Sequence, residues 1–163
     1  MADSKISALT AATEPLTGAE QIAVVQSATT KMVDLDGVLD IVPVNVTVAV
    51  TDETTVLTTG TNKITFRVPA MTLTEVRASL TTAGTGATLV AITVNVNGVN
   101  IWSSGGTGLT IDAGEKTSTT AATPNVIGIA AVPDDAEITV DIDAIDTNNV
   151  ATGLKVALIG TRA

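Results

Sequence analysis

Cysteine, histidine and tyrosine are absent from this 163-residue chain, and Phe66 and Trp102 are its only aromatic residues. Without thiols there are no disulfides, no thiolate zinc sites and no cysteine nucleophiles. Without imidazole, the commonest general base and the commonest transition-metal ligand are missing. Few hydrolases or metalloenzymes work under both restrictions, so the chain is read as a non-enzyme without cofactors. Basic residues are also scarce: 8 Lys and Arg stand against 17 Asp and Glu, for a net charge of −9. An acidic surface repels phosphate backbones and anionic lipid, which argues against nucleic-acid and membrane partners. The longest apolar stretches, such as Val126–Val132, fall well short of the ~18 residues of a membrane span. Met1–Lys5 lacks the basic start and apolar run of a signal peptide, so none is expected.

What is present is aliphatic. Hydrophobic residues make up 45% of the chain, so Val, Ile, Leu and Ala must build the core. β-Branched side chains pack well on pleated surfaces and lose freedom in helices, which favours strands. Two regions differ in pattern. Residues 1–42 carry short apolar clusters (Ile6–Leu9, Ile22–Val25, Met32–Val42) broken by Pro15–Gly18 and by a turn expected at Thr29–Lys31. That segment has too little apolar surface to fold alone and is read as an extended arm for attachment or assembly. Val33–Ile41 is its one stretch that a short helix could also fit.

From Pro43 to Ala163 the period becomes two. Val44, Val46, Val48 and Val50 alternate with Asn45, Thr47, Ala49 and Thr51. Further strands are expected at Ile64–Val68, Leu73–Leu80, Ile92–Val96, Val99–Trp102, Leu109–Asp112, Lys116–Thr120, Ala136–Ala144 and Leu154–Ile159. Asn97-Gly98 marks a hairpin turn. Short, turn-punctuated strands without an amphipathic helix predict an all-β fold: an antiparallel, jelly-roll-like β-sandwich.

The acidic strand holds the best candidate site. Glu137, Thr139, Asp141 and Asp143 share one face, with Ile138, Val140 and Ile142 on the other and Asp146 nearby. Hard cations take oxygen ligands, so Asp141, Asp143 and Asp146 are the residues closest to a calcium site, although EF-hand spacing is absent. A solvated polar face explains the same pattern, and no metal is assigned. Two carboxylates also suggest a glycosidase, but the chain lacks aromatic platforms and an environment that would separate their pKa values. Gly84–Gly86 and Gly105–Gly108 lead into no Lys-Ser/Thr helix start, and read as turns. Trp102 is either an interface or ligand contact or a large residue closing one end of the sandwich.

Two stretches resemble bacteriophage structural proteins. Lys5–Leu9, Leu16–Glu20, Ile22–Gln26 and Thr30-Lys31 resemble a segment near the N-termini of head-fibre, decoration and tail-fibre chains. Thr65–Pro69 and Met71–Leu80, continued by Leu109–Asp112, Glu115–Ser118, Asp135–Asp141 and Gly153–Val156, resemble a phage β-sandwich module. The resemblance implies a virion surface protein, held on a major capsid protein or another virion protein by its N-terminal segment. With no fibre shaft in the chain, a capsid decoration or head-fibre knob is expected ahead of a glycan- or host-surface-binding module of a tail fibre. Ile6, Leu9, Leu16, Ile22, Val24 and Val25 are the expected capsid or assembly contacts, since an apolar arm can add a strand to a neighbour's sheet. Avidity and the need to cover edge strands predict a homo-oligomer, a trimer first and a pentamer next. The expected location is the virion, after synthesis in the host cytoplasm.

Overall fold

A computed structural model describes the strand segments 21–26 and 29–34 and residues 42–163 of the chain. The chain divides into two units, Met1–Val42 and Pro43–Ala163. In the first, β1 (Gln21–Gln26) pairs antiparallel with β2 (Thr29–Asp34), so this part of the N-terminal segment pairs with itself. Thr29–Lys31, expected as a turn, belongs to β2, as do Val33 and Asp34 of the stretch considered for a helix. Ile22, Val24 and Val25 lie on β1. Ile6, Leu9 and Leu16, and the rest of the possible helix, lie outside the described residues.

The second unit is built from strands with alternating burial, as period-two patterning requires. They are β3 (Val44–Ala49), β4 (Gly60–Val68), β5 (Met71–Ser79), β6 (Val90–Val96), β7 (Val99–Asn100), β8 (Leu109–Ile111), β9 (Ala131–Val132), β10 (Ala136–Ala144) and β11 (Lys155–Arg162). One sheet runs β3-β11-β5-β9; the other runs β4-β10-β6, with β7 and β8 both pairing β6. All pairings are antiparallel. With β7 and β8 taken as one interrupted strand, successive strands alternate between the sheets everywhere except from β6 to β7/β8, which pair within one sheet, and this is jelly-roll order. The fold is an all-β sandwich.

The core lies between the sheets and is aliphatic. Ile138, Val140 and Ile142 of β10 face Val156 and Leu158 of β11 across it, with Met71, Val76, Ile92, Val94 and Leu109 around them. Phe66 is only partly buried, because β4 is an edge strand. β5 contacts β8 across the layers, which leaves β3 and β4 along the opposite flank.

Local hydrogen bonding accounts for two departures from the expected strands. Lys116–Thr120 does not form a strand; Ser118–Thr120 is a 3₁₀ turn capped by the Thr117 hydroxyl, and the Ser118 hydroxyl accepts from Ala78 N at 2.9 Å. Ser and Thr side chains compete here with ladder pairing. Val99–Trp102 shortens to the two residues of β7, because the Asn100 carboxamide oxygen accepts from Trp102 N at 2.8 Å and turns the chain. β9 was not anticipated, being only two residues long.

Candidate functional site

The outer face of β4-β10-β6 carries the acidic strand. Register places Arg67 beside Glu137, Thr65 and Asn95 beside Thr139, and Thr93 beside Asp141. Asp141, Asp143 and Arg67 find partners there. Asp141 accepts from Asn62 N at 2.6 Å and from the Asn95 carboxamide at 2.9 Å. Asp143 accepts from the Thr93 hydroxyl at 2.7 Å. Arg67 donates to the Asp135 carbonyl at 2.6 Å and lies 3.9 Å from Glu137. The face is a cross-strand polar ladder.

Asp146 lies apart from that face. It is 2% exposed and accepts from the backbone N–H groups of Thr85 and Val150 at 3.1 Å and of Ala151 at 3.2 Å. Burial pushes its pKa up, but the N–H donors of Val150, Thr85 and Ala151 together hold it below the ordinary aspartate value. Gly84 makes room for it: a Cβ there would come within 2.6 Å of the Asp146 Cβ. The carboxylate pins the 84–85 turn to the 150–151 loop. Asp141, Asp143 and Asp146 thus do separate structural work, and no cluster able to hold a metal ion occurs among the described residues.

A groove of about 540 Å³ lies between β5 and the segment that includes Ser118 and Ala130. β9 pairs only Met71 and Thr72 of β5, and loop groups pair with further positions at and beyond that edge. Ala130 O accepts from Leu73 N at 2.8 Å, and Lys116 O accepts from Leu80 N at 2.9 Å. Thr74, Glu75, Arg77, Asn125, Val126 and Ile127 are among the lining residues. Arg77 donates to both oxygens of Glu75, at 2.5 and 2.7 Å, which lowers the Glu75 pKa. Sequence reading missed this groove, since its walls come from distant parts of the chain. The only local signal was the short apolar run at Val126 and Ile127, 51% exposed at Val126.

Trp102 lies mostly inside the sandwich. It is 6% exposed within the core, and its indole N–H has no hydrogen-bond partner. The Gly105–Gly108 turn beside it packs backbone to backbone on the next loop. Ile101 O accepts from Gly128 N and Ile129 N at 2.9 Å, and a Cβ on Gly128 would lie 1.9 Å from Ser103 O. Gly106 and Gly128 serve close approach.

No protein-family model, curated protein or solved structure matches the chain.

Proposed function

We propose that the chain is a bacteriophage virion structural protein, a capsid decoration or head-fibre component attached to the capsid surface through its N-terminal segment. What supports this reading is the resemblance, in sequence pattern, of the N-terminal stretches and the sandwich stretches to phage virion chains. The use of polar groups in the second unit supports it. Asp52, Asp134, Asp141, Asp143 and Asp146 all accept hydrogen bonds from the chain itself, as scaffold elements do. On this reading the protein is non-enzymatic and oligomeric, and its partner is a major capsid protein or another virion protein. The test is co-sedimentation of the purified chain with particles of the phage that encodes it. Binding that disappears when residues 1–42 are removed is the expected result; a chain that stays at the top of the gradient overturns the reading.

The groove beside β5 favours a second reading, a module that holds host surface glycan. Arg77, Glu75, Thr74 and Asn125 offer donors and acceptors next to the apolar Val126 and Ile127, the mixture a sugar ring requires. A glycan array should then show binding that Arg77→Ala weakens. A blank array at high protein concentration removes this reading.

A further inference from the structure

The two edge strands on the open flank differ in how they are protected. β4 is blunted: its register with β10 breaks between Val140 and Ile142, Asn62 has a positive φ of 50°, and Lys63 and Arg67 place cations along it. These are the ordinary devices against edge-to-edge pairing. β3 has none of them. Its register with β11 is unbroken from Val44 to Ala49, and no Asp, Glu, Lys or Arg lies between Asp40 and Asp52. Among the described residues nothing pairs with its outer edge. Its inward valines, Val44, Val46 and Val48, are only half-buried, as are Ile64 and Phe66 of β4 on the same flank.

We propose that β3 is the contact between two copies of this chain, paired antiparallel with itself across a two-fold axis. Self-pairing is what the composition of the strand fits. Near a two-fold axis a residue meets itself or a close neighbour, so a charged edge would repel its own copy. β3 is neutral in a chain of net charge −9. Pairing that keeps the faces in phase centres on Val46 or on Thr47. Either centre sets valine against valine inside, and sets Asn45 and Thr47 outside against uncharged partners. The second valine row then extends the first along the flank where the core is least covered. The symmetry is two-fold, not the three- or five-fold arrangement expected from the arm. The inference does not rest on the virion reading, since solution mass is measured with no particle present.

Light scattering on the full chain should give twice the chain mass. Asn45→Lys/Thr47→Lys and Asn45→Glu/Thr47→Glu each place like charges across the axis, on a face that points to solvent. Each variant alone should be monomeric with an unchanged circular dichroism spectrum, and an equimolar mixture should recover the dimer. If a variant does not fold, oxidative cross-linking of Thr47→Cys and of Asn45→Cys/Thr47→Cys replaces it. The chain has no other cysteine, so a covalent dimer reports this contact alone. A monomeric full chain, a mass unaffected by both charge variants, or failure of both cysteine variants to cross-link overturns the proposal.

Discussion

Asp146 brings a carboxylate into a site where backbone N–H groups are its hydrogen-bond partners. Asp146→Asn keeps the shape but turns an amide toward one of those donors. Leaving a buried donor unpaired costs about 1–3 kcal/mol, and chemical denaturation at neutral pH should show a loss of that size. The pH dependence has a definite sign. A carboxyl whose pKa is lower in the folded state stabilises the fold above its unfolded pKa of about 3.9. That contribution is lost as pH falls through the lowered folded value. The gap between wild type and Asp146→Asn should therefore shrink below about pH 4; a gap that widens on acidification would refute the assignment. Gly128 is constrained differently. A methyl there meets Ser103 O, a backbone atom that cannot swing aside, so Gly128→Ala should cost at least the ~1–3 kcal/mol of an overpacked site. Thermal unfolding of that variant is the check.

Among the elements, the central strands should hold more stability than the edges. Ile138 on β10 is fully buried, whereas Ile64 on β4 is half-buried. Ile138→Ala should cost about 2–5 kcal/mol and Ile64→Ala clearly less, read from urea midpoints. Strand positions were largely legible in the sequence, because alternation of valine and isoleucine with threonine and asparagine is a local signal that burial enforces. It failed where side chains bonded the backbone instead, at Asn100 and at Thr117 and Ser118. The acidic row was legible as a face, but its role was not. Asp141 meets Asn62 N and Asn95, and Asp146 meets Thr85 and Ala151, through pairings between remote segments. Periodicity places a residue on a face; only topology says what lies beside it there.

For the whole molecule, the sandwich unit has its own aliphatic core within Pro43–Ala163. Residues 43–163 alone should unfold in one cooperative transition, with circular dichroism and fluorescence tracing the same curve. Separate curves would mean that the core needs residues 1–42. Scarcity of aromatic residues has a further result at this scale. With no tyrosine in the chain, Trp102 is its sole strong emitter, and its indole is sealed in the core without a hydrogen-bond partner. The native protein should therefore glow at short wavelength and shift to the red only when the end of the sandwich near Gly108 opens. One built-in lamp thus reports on the sandwich, and can time its opening without any attached dye.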